Sequence, residues 1–157
     1  MAISMSDYDS LHIERPMPKS TCACGHQLPL TQAAHNPEAL ADVDEASIKA
    51  MVDAFYVEVR ADDLLGPIFN ELITDWEAHM PKMYDFWSSA VLRTGRYSGR
   101  PLEAHMGLPG AGPTHYRRWI DLWIEVVNEH MPTEAATVFV DLAMRMGRLM
   151  AAQYETN

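Results

Sequence analysis

The stretch Ser47-Ile-Lys-Ala-Met-Val-Asp-Ala-Phe-Tyr-Val-Glu-Val59 decides the class of fold. Its large apolar residues, Ile48, Met51, Val52, Phe55, Tyr56 and Val59, recur at intervals of three and four and so share one face of a helix. Ser47 is the expected N-cap, and the helix is predicted to end near Asp62 or Asp63. Tyr56 sits on the apolar face beside Phe55. A tyrosine there either returns its hydroxyl to a backbone carbonyl or points it into a pocket, and periodicity alone leaves both readings open.

The pattern continues C-terminally. Leu64-Leu-Gly-Pro-Ile-Phe69 makes a compact apolar corner. Thr74-Asp-Trp-Glu77 reads as a capping box with Thr74 as N-cap. The helix after it is predicted to run to about Leu92 and to carry Trp76, His79, Met83, Phe86 and Trp87 on one side. Pro81 lacks an N–H and is expected to bend that helix just beyond His79. A long helix begins near Pro113 or Thr114 with Tyr116, Trp119, Ile120, Trp123, Val126 and Val127 at helical spacing, and stops before Pro132. Thr133 opens a last helix whose buried stripe is Ala135, Val138, Leu142, Met146 and Leu149. No alternating run bounded by hairpin turns is present, so the chain reads as all-α. Its two C-terminal helices should lie antiparallel against the helices around Tyr56 and His79. Such a sandwich can hold a flat apolar cofactor between its layers.

Between the second and third long helices lies Arg100-Pro-Leu-Glu-Ala-His-Met-Gly-Leu-Pro109. Pro101 suits the first position of a helix and Gly107 with Pro109 ends it, leaving about a turn and a half. So short a helix must lean on other elements through Leu102, Met106 and Leu108. His105 on this turn is either a hydrogen-bonded core histidine or a neutral imidazole ligand. Arg93, Arg96 and Arg100 stand just before it, as solvated charges or as partners of a bound anion.

Residues 1–43 differ in kind. Pro16, Pro18, Pro29 and Pro37 interrupt any helix, so this segment reads as a poorly ordered extension ahead of one domain over 44–157. It contains Thr21-Cys-Ala-Cys-Gly-His26 and His35. One residue between Cys22 and Cys24 is too tight for the usual structural-zinc spacing and does not fit covalent haem attachment. The full chain of 157 residues has a formal charge of −10 and no basic stripe, which argues against a nucleic-acid partner. No apolar run reaches membrane-spanning length and no secretory leader is evident, so a soluble cytoplasmic protein without a membrane partner is expected.

Taken together these segments resemble the group III truncated haemoglobins, short globins with a two-over-two helical sandwich around haem b (iron protoporphyrin IX). The resemblance covers about residues 45–155. Phe55-Tyr56 is similar to the family's Phe-Tyr pair on the distal side, and Leu65-Gly-Pro-Ile-Phe69 to the corner that sets a phenylalanine against the porphyrin. Trp76-Glu-Ala-His79 with Phe86-Trp87 resembles the distal helix. Pro101-Leu-x-x-His105-x-x-Leu-Pro109 resembles the proximal segment, and Trp119 falls where the family places a distal tryptophan. The resemblance implies that His105 ligates the iron and that Tyr56, His79 and Trp119 form the reactive distal side. It further implies that Phe55, Phe69, Met83 and Phe86 contact the cofactor, and that at least one of Arg93, Arg96 and Arg100 meets a propionate. The sequence departs from the family pattern at Gly110, which follows Pro109, at the long Met83, and at Pro81 beside His79.

The function so implied is binding of dioxygen, nitric oxide or other small ligands for ligand or redox chemistry rather than bulk oxygen delivery. Nitric oxide dioxygenation or peroxide reaction would be the enzymatic form, with an external reductase to sustain turnover. The alternative is a six-coordinate haem held by His79 and His105 for electron transfer or redox sensing. A haem-free helical binding module is the third reading.

Overall fold

The computed structural model describes residues 37–101 and 109–154. Helix α1 (Glu45–Ala61) starts earlier than the spacing of its apolar residues suggests, because Asp44 rather than Ser47 is the N-cap. The Ser47 N–H donates to Asp44 Oδ1 at 2.7 Å and the Asp44 N–H donates to Ser47 Oγ at 3.0 Å. Ser47 is thus the third residue of a reciprocal capping box. Ahead of it, Leu40 and Val43 already pack into the core, upstream of the boundary drawn at residue 44.

The end of α1 is a tight corner. Asp62 Oδ1 accepts from the N–H groups of Leu64 (3.0 Å) and Leu65 (2.9 Å), and its Oδ2 accepts from Arg118 Nε at 2.7 Å. Burial pushes the Asp62 carboxyl up, but the Leu65 N–H, the Arg118 guanidinium and the Leu64 N–H outweigh it and hold the group below its ordinary value. Gly66 then starts helix α2 (Gly66–Leu72) so close to α1 that a Cβ there would lie 2.7 Å from the Arg60 carbonyl oxygen.

Helix α3 (Trp76–Leu92) is capped by Asp75, whose Oδ1 accepts from the Ala78 N–H at 3.0 Å. Thr74 is therefore not the cap; the Asp75 carboxylate one residue on fills the same role. The helix continues unbroken past Pro81. One missing hydrogen bond is offset by the burial of Phe86, Trp87, Ala90 and Val91 further along. Arg93 ends it in the left-handed region (φ 59°, ψ 35°).

Gly110 turns the chain at φ 79°, a conformation side chains rarely adopt. Helices α4 (Pro113–His130) and α5 (Thr133–Tyr154) follow. His115 Nδ1 accepts from the Gly112 N–H at 3.1 Å, so a histidine supplies the cap that glycine lacks. α4 packs along α5, and α1 packs on both α3 and α4, which gives two helix pairs in two layers. No strand occurs among the described residues. Ala135, Val138, Leu142 and Met146 are buried on α5 as the spacing predicts, whereas Leu149 is 43% exposed because the stripe there runs beyond its neighbours. No described helix is long and apolar enough to cross a membrane.

Candidate functional site

Between the layers lies a cavity of about 340 Å³. Its wall includes six of the site residues singled out in the sequence: Tyr56, Phe69, His79, Met83, Phe86 and, from α4, Trp119. Tyr56 comes from the apolar face of α1 and is only 6% exposed. No described residue accepts a hydrogen bond from its hydroxyl, and burial raises its pKa, so the phenol stays neutral. A hydroxyl at that depth is costly to leave unpaired and calls for a partner beyond the described side chains.

Tyr56, Trp76 and His79 form an edge-to-face triangle. The ring centroids are 5.7 Å apart for Tyr56–Trp76 and 5.8 Å for each ring's contact with His79. The guanidinium of Arg60 covers Trp76 at 4.6 Å from the ring centre. His79 is half-buried and faces the cavity. Trp119 meets Phe55 edge-on at 5.3 Å.

Phe55 itself does not reach the cavity. It is fully buried behind Tyr56 and Trp119, with its edge on Trp123 at 4.8 Å. None of the three arginines lines the cavity either. Arg96 spans two helices: Nη2 lies 2.6 Å from Glu45 Oε1 and Nε donates to Asp85 Oδ1 at 3.2 Å. His105, Cys22, Cys24, His26 and His35 lie outside the described residues. Pro101 is described, is helical, and forms part of the cavity wall.

The wall also holds Trp87, Tyr97, Leu72, Ile73 and Met146, which the sequence did not mark as site residues. Trp87 and Met146 carried a signal, since both belong to apolar helical stripes, but a stripe does not say which members border an empty space. Tyr97 carried none. It is placed by its N–H, which donates to Ser89 Oγ at 2.9 Å, and by its ring, edge-on to Phe86 at 5.2 Å.

A wall of aromatic and thioether side chains with a few polar tips fits a flat apolar group that brings its own polar centre. The Tyr56 hydroxyl, without a partner among the described residues, is where such a centre would be met. A group 3 truncated hemoglobin of Campylobacter jejuni is 36% identical over 90 residues, covering 55% of this chain and 71% of the relative. The chain belongs to the group III truncated haemoglobins. The crystal structure of a group III truncated hemoglobin from Campylobacter jejuni superimposes with a TM-score of 0.67 at 31% identity, over 73% of this chain and 94% of the other. No family model matches the chain. Membership of this truncated haemoglobin family carries with it haem binding and small diatomic ligands.

Proposed function

We propose that this truncated haemoglobin holds haem b in the cavity, with His105 as the iron ligand and Tyr56, His79 and Trp119 on the reactive side. Haem, when bound, supplies an iron that takes up dioxygen, nitric oxide or peroxide. The observation that carries the reading is the buried Tyr56 hydroxyl, which lacks a partner among the described residues. Its raised pKa keeps it a hydrogen-bond donor across the physiological range, and a ligand atom with partial negative charge is the partner it lacks. Trp119 can only donate through its indole N–H, and His79 adds a third polar group at the same wall. Three such groups favour retention and polarisation of a ligand over rapid release, which suits nitric oxide dioxygenation or peroxide reaction.

For His105 the support is Pro101, four residues ahead on the cavity wall. Phe69, Met83 and Phe86 would pack on the cofactor faces, while Phe55 supports Tyr56 and Trp119 from behind. At least one of Arg93, Arg96 and Arg100 would meet a propionate, and Arg96 is in addition held by Glu45 and Asp85. We read residues 44–157 as the globin domain with 1–43 as an extension whose last residues, including Leu40 and Val43, pack onto it, place the protein in the cytoplasm, and expect an external reductase for turnover.

Absorption spectra of the ferric, ferrous and carbon monoxide forms test the reading, for the wild type and for His105→Ala. A five-coordinate ferrous spectrum that binds carbon monoxide, and its loss in His105→Ala, is the expected result. Tyr56→Phe should release dioxygen about tenfold to a hundredfold faster, the worth of one hydrogen bond to a charged partner. Sharp, split low-spin bands without added ligand would instead make His79 the second iron ligand and the protein an electron carrier. A colourless folded protein would leave only the binding module.

A further inference from the structure

Three indoles lie in a row beside the cavity. Trp119 is parallel to Trp123, with centroids 5.8 Å apart and planes 3° apart, and Trp123 lies on Trp87 at 4.1 Å and 17°. The outer two rings line the cavity, while Trp123 between them is fully buried and does not. Ordinary aromatic packing here is edge-on, as in Phe55–Trp123 at 88° and Phe86–Trp87 at 74°. Among the described residues only the indoles are stacked.

Stacked indoles share a missing electron better than a single ring holds it. We propose that the Trp119–Trp123–Trp87 stack is an internal electron donor to the cavity when hydrogen peroxide is the oxidant. The proposal rests on the cavity being the haem pocket. Reduction of hydrogen peroxide to two waters breaks the O–O bond and consumes two electrons and two protons. One electron comes from the cofactor, the other from the stack, and the protons come from solvent. The stack is left as an indole cation radical and the cofactor one electron short, and two equivalents of a one-electron reductant refill both.

The surroundings of Trp123 suit that role. Its Nε1–H donates to the Phe139 carbonyl oxygen at 3.2 Å. An amide carbonyl is no base, so the oxidised ring keeps its proton, and Trp87 shares the charge. Tyr56 is the competing donor in the cavity, but losing an electron there requires losing the phenol proton. Its ring neighbour His79 stands edge-on with centroids 5.8 Å apart, and the indoles need no such acceptor. The electron is therefore drawn from the indoles.

The test is electron paramagnetic resonance of the haem-loaded full chain, freeze-quenched after mixing with hydrogen peroxide. It is run on protein made with ring-deuterated tryptophan and, separately, ring-deuterated tyrosine. The expected organic radical signal narrows only with labelled tryptophan. In Trp123→Phe it falls at least tenfold although the optical reaction with peroxide still occurs, and in Trp76→Phe it persists. Peptide mass spectrometry after excess peroxide should then find oxidation of Trp123→Phe shifted onto Tyr56 and Met83. A signal narrowed by labelled tyrosine, a signal unchanged in Trp123→Phe, or no organic radical overturns the proposal and leaves the pocket reading standing. Absence of any optical change with peroxide sinks both. If Trp123→Phe does not fold, the labelled wild type decides alone.

Discussion

Phe55 and Tyr56 are adjacent on α1, and Trp123 and Trp119 are one turn apart on α4, yet each pair is split between two environments. Phe55 and Trp123 are fully buried in a dry core where the indole N–H has found a carbonyl. Tyr56 and Trp119 face the cavity, and the Tyr56 hydroxyl has found no acceptor among the described residues. The fold satisfies its polar groups where only stability is at stake. At the cavity wall it leaves one without a partner among the described residues, which is where the proposed ligand would sit.

Substitutions can break this division or sharpen it. Phe55→Ala should have the largest effect, a loss of about 3–5 kcal/mol in denaturant unfolding, because it opens a void behind both Tyr56 and Trp119. Gly66→Ala comes next. Its Cβ would meet backbone at the end of α1, and shifting the corner should cost about 1–3 kcal/mol, seen as a lower melting temperature.

Asp62→Asn should cost about 1 kcal/mol, since it weakens the turn cap and the half-exposed Arg118 pair that anchors α4 beside Trp119. The Asp62 pKa is lower in the folded than in the unfolded chain. Its contribution is therefore complete above its unfolded value of about 4 and is lost as pH falls through the lower folded value. The difference between wild type and Asp62→Asn should shrink over that acid range in unfolding curves. Tyr56→Phe should have the smallest effect on the haem-free protein, from none to about 1 kcal/mol of added stability, because it removes a buried hydroxyl with no described partner. A stability loss as large as that of Phe55→Ala would show that the hydroxyl serves the core, and the contrast between the two neighbours would fail.

Helix limits were legible wherever an apolar period met a terminator, as for α4 between Pro113 and Pro132 or α3 at Leu92. Caps were less so, because Asp44 with Ser47, and Thr74 with Asp75, offer competing oxygens within a few residues and only backbone geometry selects one. Leu149 fitted the period of α5 but has too little packed against it to be buried. For the cavity, Tyr56, Phe69, His79, Met83, Phe86 and Trp119 were marked through family resemblance, not periodicity. Phe55 was marked with them, but it points about 100° around α1 from Tyr56, against Trp119 and Trp123.

The sequence by itself determined an all-helical chain of two long helix pairs and the family to which it belongs. Local spacing encodes which face of each helix is apolar, and residue types in order encode kinship. Only the tertiary structure decided which apolar residues border the cavity, that Arg96 is tied to Glu45 and Asp85, and that three tryptophans stack in register. Those facts depend on the angle and offset at which α1, α3 and α4 meet, and side chains far apart in sequence set that offset only when they pack.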